Sequence, residues 1–261
     1  PKKAGPRGET DSTRGDVAAA IGTAAFKVDA TYTTPNETHN PMEMHATIAV
    51  WQGDDALTLY DSTQGIFGVR KRLAAVFEIP VENVRVINHF VGGGFGSKGS
   101  PWSHVPLAAL AAKVVKRPVK LVVTRQQMFS LVGHRPITRQ HVVVAADKAA
   151  KLTAMVHEVL SETSRFDEFV EPSALATRMM YSCPNVKTQH RVAKLDTSTP
   201  TFTRARGEAS GSFALESALD ELAYAAGLDP LALRVMDHAK LAGHENKTLS
   251  SRLALAIGEK V

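Results

Sequence analysis

The stretch Val91–Gly99, VGGGFGSKG, concentrates backbone freedom: Gly92, Gly93 and Gly94 are consecutive, and Gly96 and Gly99 follow. Glycine adopts left-handed backbone without penalty and has no Cβ, so main-chain N–H groups of such a run can approach an anion closely. Gly94, Gly96 and Gly99 also spell G-x-G-x-x-G, the dinucleotide fingerprint. That fingerprint needs a carboxylate about twenty positions on to meet a ribose hydroxyl. The next strand instead ends VVTRQQ, where Arg125 offers at most a partner for a 2′-phosphate. A nucleotide-hydrolysing loop would need Gly in place of Ser97 and Ser or Thr in place of Gly99. A ligand bearing phosphate or oxo groups is the sharper expectation, against a glycine-rich turn that binds nothing.

The elements around the loop suit that chemistry. Alternation in FKVDATYTT, ATIAVWQ and LTLYDS predicts three strands. IFGVRKRLAAVFEI then predicts a helix with Val69, Leu73, Val76 and Phe77 on one face, stopped by Pro80. NVRVINHFV reads as the strand that delivers the loop. Ser100 as N-cap and Pro101 as first residue open the next helix, and RPVKLVVTR follows as a strand. The order then begins again with ITRQHVVVAAD, AKLTAMVHEVLSE and KTQHRVAKLD as strands, and helices from Ser210 and Pro230. In the helix from Ser210, Phe213, Leu215, Leu219, Leu222 and Ala223 read as core. Glu216, Asp220 and Glu221 read as its solvated or capping face.

The fold class expected is α+β: a two-layer, mixed-sheet domain of two tandem β-β-α-β-type units. Residues 1–16 read as a polar linker or cut end, 17–237 as one lobe of a larger domain, and 238–261 as a C-terminal helical tail. With 261 residues and 44% hydrophobic content, a sizeable core is available. The net charge of +5 is scattered rather than striped, and only 6% of residues are aromatic, which argues against a nucleic-acid partner. No apolar run approaches the ~18 residues of a membrane span. Cys183 is the single cysteine, so the chain supplies no disulfide framework or Cys-based cluster, and it reads as a buried small hydrophobe.

DSTQGIFGVRKRLA, VGGGFGSKG, KRPVKLVVTR and RARGEASGSFALESALDELAYAAGLDPLALR, in that order, resemble the molybdenum-cofactor subunit of the xanthine oxidase and aldehyde oxidoreductase family of molybdenum hydroxylases. The nearest flavour is that of bacterial aldehyde and isoquinoline oxidoreductases. The resemblance covers most of this chain and a middle part of a much longer subunit. It implies one lobe of a molybdopterin-binding domain, with molybdenum held by a pterin, dinucleotide form included, rather than by protein ligands. Gln64 matches the glutamine whose amide faces an oxo group of the metal. Phe95 and Gly96 match the pair whose main chain lies beside the metal's oxygens and the pterin, with Gly93 and Gly94 giving clearance, and Arg204 matches an arginine whose main chain lines the same centre. Gln64, Phe95 and Arg204 are therefore the expected neighbours of the metal.

By the same resemblance, the whole enzyme hydroxylates an aldehyde or N-heterocycle with oxygen from water, passing electrons to iron–sulfur clusters and FAD on partner chains. A second lobe of the same subunit is an expected partner, so the lobe should expose apolar surface. Two positions depart from the family: Arg206 replaces a proline, and Gly99 stands where purine-hydroxylating members carry a glutamate. The family's catalytic glutamate has no counterpart here, neither Glu208 nor Glu259 being assigned to it, so no catalytic residue is named and the chain alone is expected to be inactive. The competing expectations are a non-enzymatic domain that binds a partner chain, and an NADP-binding reductase domain. The location expected is cytoplasmic, or periplasmic if a partner subunit escorts the chain.

Overall fold

The computed structural model describes residues 2–3 and 11–237; the expected tail, 238–261, lies outside the described residues. In chain order the elements are β1 (Lys2–Lys3), β2 (Ser12–Arg14), α1 (Val17–Gly22), β3 (Phe26–Thr34), β4 (Ala46–Gln52), β5 (Ala56–Asp61) and α2 (Ile66–Phe77). After a short 3-10 turn at Val81–Asn83 come β6 (Val84–Ile87), α3 (His104–Val115), β7 (Val119–Val122), α4 (Arg125–Leu131), β8 (Thr138–Ala146) and β9 (Leu152–Ser164). A second 3-10 segment, Ser173–Arg178, precedes β10 (Asn185–Leu195), α5 (Glu208–Ala225) and α6 (Pro230–Asp237). The protein is α+β with mixed sheets. Its described residues form two units, one of the chain up to Pro35 with Pro136–Thr197 and the segment from Ala205, the other of Asn36–Arg135 with Ser198–Arg204.

The second unit carries the glycine loop. Its sheet runs β6-β5-β4-β7. β4 and β5 form an antiparallel hairpin, β7 pairs antiparallel with β4, and β6 pairs parallel with β5 because α2 carries the chain back across the sheet. Strand alternation turns Leu57 and Leu59 inward, where they meet Val69 and Leu73 of α2 and Ala108, Ala109 and Ala112 of α3. The alanines allow α3 to lie close to the sheet, and Trp51 Nε1 donates to the Ala109 carbonyl at 2.8 Å. Two local expectations change. Val76 is exposed, since the buried stripe of α2 runs through Val69, Leu73 and Ala74. And α3 begins at His104 after Ser103 rather than at Pro101, because residues 97–102 are spent in turns that close the loop.

The other unit is built on a sheet of order β1-β10-β9-β8-β3, with β2 also on β10. β9 and β10 are parallel and the remaining pairings antiparallel. Leu215, Leu219 and Leu222 of α5 pack with Val142, Val144 and Met155. Phe213, expected in this core, is half exposed and meets the edge of Tyr32 instead. Two pairings depart from a strictly tandem arrangement. β3, sequential with β4, pairs along nine residues with β8, and Ser12–Arg14, within the polar stretch 1–16, is a strand on β10. Arg14 explains the latter, donating to the carbonyls of Cys183 and Arg178.

Candidate functional site: a glycine loop edged by an amide and a second strand of main chain

β6 ends at Ile87, and the chain enters a loop in which Gly93 (φ 89°), Phe95 (φ 55°) and Gly96 (φ 108°) all take left-handed backbone. For a phenylalanine this conformation is costly and persists only where surroundings enforce it. They do: Ser97 N–H and Oγ both donate to the Gly94 carbonyl (3.0 and 2.8 Å), and Gly99 N–H donates to Gly96 O at 3.0 Å. These consecutive turns leave Phe95 substantially exposed at the crest.

Gln64, just before α2, is tied to the loop at two points. Its N–H donates to Lys98 O at 2.8 Å, and its side-chain Oε1 accepts the Gly96 N–H at 3.0 Å. Because a main-chain N–H can only donate, the amide oxygen is committed and the NH2 group remains a donor on an exposed side chain. Gly94 makes room for it: a Cβ there would lie 2.4 Å from Gln64 Oε1.

Arg204 reaches the loop through its main chain, its N–H donating to Phe95 O at 2.9 Å. The rest of its segment is held similarly. Arg135 Nη2 donates to Arg204 O at 2.6 Å, and His39 Nε2 lies 3.1 Å from Phe202 O and 3.0 Å from Thr203 Oγ1. Phe202 O comes so near Gly96 that a Cβ there would sit 2.1 Å away. Thus Gln64, Gly93, Gly94, Phe95, Gly96 and Arg204 are brought together in one unit, mostly as backbone. Gln64 and Arg204 are 140 positions apart and meet through Phe95 and Gly96.

Beneath the loop lies a buried polar layer that motif reasoning did not foresee. Lys98 is fully buried and its ammonium sits 2.6 Å from Glu43 Oε2. Burial opposes ionisation of Glu43, but donors from Lys98, Ser62 and Gly92 outweigh it and push its carboxyl down to about 2. Burial dominates for the neighbours: it pushes Asp61, which accepts from Thr47, up to about 6 and the rings of His45 and His104 down to about 4. The two imidazoles meet edge to face at 5.6 Å, and His45 Nε2 lies 3.3 Å from Ser97 O. Neither Lys98 nor Glu43 was singled out from the sequence, because what sets them apart is burial and pairing across the fold.

Two arginines resolve differently from expectation. Arg125 spends its guanidinium on the carbonyls of Pro41 and Met42 at 2.8 and 2.9 Å, so it is not a free phosphate partner. The strand after α3, β7, pairs with β4 and is separated from β6 by β5 and β4 in the sheet, so the adjacent parallel strands of a dinucleotide-binding unit are not formed around this loop. Arg206, at the position where the resemblance implies a proline, stacks over the Phe169 ring at 4.9 Å and donates to Val170 O at 3.0 Å, within the other unit. The turn it occupies is made by left-handed Ala205 and Gly207.

A mixed-sheet domain with a glycine loop, an edge amide and a second main-chain segment defines a cofactor-binding class rather than a nucleotide-hydrolysing one. Residues 3–237 match the molybdopterin cofactor-binding domain, and the chain belongs to that family. It is 43% identical over 236 residues to the aldehyde oxidoreductase molybdenum-binding subunit PaoC of Escherichia coli O157:H7, covering 90% of this chain and 32% of that protein. It is 28% identical over 249 residues to the xanthine dehydrogenase molybdenum-binding subunit of the same organism, covering 94% of this chain and 33% of that one. Among solved structures, the aldehyde oxidoreductase of Desulfovibrio gigas superposes with a TM-score of 0.87 at 23% identity, over 96% of this chain and 29% of that chain. Quinoline 2-oxidoreductase of Pseudomonas putida 86 gives 0.85 at 20% identity, over 96% and 34%. The chain thus spans about a third of the length of these curated relatives.

Proposed function

We propose that the glycine-loop unit forms one wall of a molybdenum–molybdopterin site in an enzyme that hydroxylates an aldehyde or an N-heterocycle. One observation carries the reading: Gln64, Phe95–Gly96 and Arg204 converge on one loop through hydrogen bonds of 2.9–3.0 Å. The fit to the group is good on chemistry. Gly93 and Gly94 let the Phe95 ring and the Gln64 amide pack against the loop, which presents an amide donor at Gln64 and an exposed aromatic edge at Phe95, and these suit a bulky, oxygen-rich cofactor that brings its own metal ligands. When bound, the molybdenum centre supplies the oxygen-transfer and two-electron chemistry.

This chain's residues position and exclude. Gln64 NH2 donates a hydrogen bond towards an oxygen of the group, and the main chain of Phe95, Gly96 and Arg204 gives the wall its shape. Phe95 keeps water from that side. The proposed substrate class is supported by similarity to the aldehyde oxidoreductase subunit and by Gly99, which puts no carboxylate where the resemblance implies that a purine would need one. Iron–sulfur clusters and FAD on partner chains, and a second lobe of the same subunit, complete the proposed enzyme. Leu107, Leu110 and Val114, an exposed apolar stripe on α3, support a protein partner for this unit.

The deciding experiment is molybdenum content by mass spectrometry together with fluorescence of the oxidised pterin, measured on the chain purified with and without co-expressed partner subunits. Pterin and molybdenum approaching one per chain support the reading, and aldehyde and N-heterocycle turnover would then be assayed. Their absence in both preparations sinks it and leaves a fold that binds only protein.

A further inference from the structure

We propose that Glu43 is the positioning residue of the glycine loop, clamping the strand end that carries Gln64 to both ends of the loop that carries Phe95 and Gly96. A single carboxylate oxygen, Glu43 Oε2, collects three donors: Ser62 Oγ at 2.5 Å, Gly92 N–H at 2.8 Å and Lys98 Nζ at 2.6 Å. Ser62 lies two residues before Gln64, Gly92 opens the loop and Lys98 all but closes it. A second tie reinforces the first, since Glu43 N–H donates to Gly92 O at 3.1 Å.

Gly92 has no left-handed backbone to explain it, but a Cβ there would sit 2.6 Å from Glu43 Cβ, so the glycine is required by the closeness of the clamp itself. The ion pair is asymmetric, the lysine side chain being fully buried and the glutamate about one-third exposed. A charged hydrogen bond is strong enough to hold a loop whose own conformation is unfavourable at Phe95. Among the described residues, Glu43's hydrogen bonds go to Ser62, Gly92 and Lys98 and not to Gln64's side chain, Phe95 or Arg204, so it acts through those three.

The role rests on the cofactor reading, but its test does not. In the full chain, Glu43→Gln keeps the size and an acceptor while removing the charge, and Ser62→Ala removes one donor and leaves the ion pair intact. Amide hydrogen exchange is read over residues 91–99 and, as reference, over β4, β5 and α3. We expect exchange in 91–99 to accelerate about tenfold in Glu43→Gln and a few-fold in Ser62→Ala, with the reference segments unchanged. Unchanged exchange in 91–99 in both variants, or an equal acceleration through β4, β5 and α3, overturns the proposal and makes Glu43 a general stabilising partner of Lys98. If Glu43→Gln does not fold, Ser62→Ala decides alone by the same comparison. Pterin retained per chain is measured beside it: where wild type retains pterin, Glu43→Gln should lose at least about fivefold. Where wild type retains none, the cofactor reading fails while the exchange result still decides the clamp.

Discussion

Gln64 Oε1 accepts the main-chain N–H of Gly96 at 3.0 Å, so the orientation of one side-chain amide is dictated by a backbone group 32 residues away. Gln64→Glu separates the two ends of that amide. A carboxylate keeps an acceptor for Gly96 and loses the outward donor, so unfolding free energy should change by less than about 1 kcal/mol while pterin retention falls sharply. Denaturant unfolding and pterin fluorescence on the same preparation check both halves.

The two central glycines should respond differently to alanine. At Gly94 the obstacle is the movable end of Gln64, so Gly94→Ala displaces the amide at a cost of about 1 kcal/mol or less. At Gly96 the obstacle is the Phe202 carbonyl and the φ of 108° is foreign to alanine, so Gly96→Ala should lose about 2–4 kcal/mol. Equal losses by urea titration would contradict the geometry.

Acid should destabilise the protein through its buried imidazoles. His45 and His104 are pushed down to about 4 and His157 to about 3, chiefly by burial, so the unfolded chain takes up protons that the folded one refuses as pH falls below 6.5. Each costs up to about 1.4 kcal/mol per pH unit in that window. Asp61 and Asp237, raised to about 6 by burial, act with opposite sign: their contribution is full below the ordinary aspartate value and is lost as pH rises through 6. Asp61→Asn should therefore steepen the loss between pH 6 and 4, read from unfolding free energies at intervals across that range.

Cys183 is buried, and burial pushes its thiol up to about 11. Iodoacetamide at pH 8 should leave the native chain unmodified and label it fully in denaturant, by intact mass. Rapid native labelling would show that the core around Cys183 opens.

Leu107, Leu110 and Val114 expose one apolar stripe, with Val114 at 72%. The chain alone should bind a hydrophobic dye, and Val114→Lys with Leu110→Lys should reduce that binding without lowering Tm, since neither side chain belongs to the core. Undiminished dye binding would place the apolar surface elsewhere.

The sequence by itself carried the local features: strand alternation in β4 and β5, the helical stripe of Leu215, Leu219 and Leu222, and a glycine cluster suited to left-handed turns and close approach of backbone. It also carried the cofactor class, through motifs whose order matches the family's. The tertiary structure decided what is non-local. Nothing in the alternation of β3 says whether β4 or β8 is its neighbour, because a period of two specifies a buried face and not a partner. Likewise, Phe213 and Val76 fit the apolar pattern of their helices but fall just off the buried stripe, where a helix sheds contact within one residue. Glu43 is the clearest case. Its importance lies in three donors drawn from Ser62, Gly92 and Lys98, and a carboxylate's partners across 55 residues of chain exist only once the fold has closed those loops.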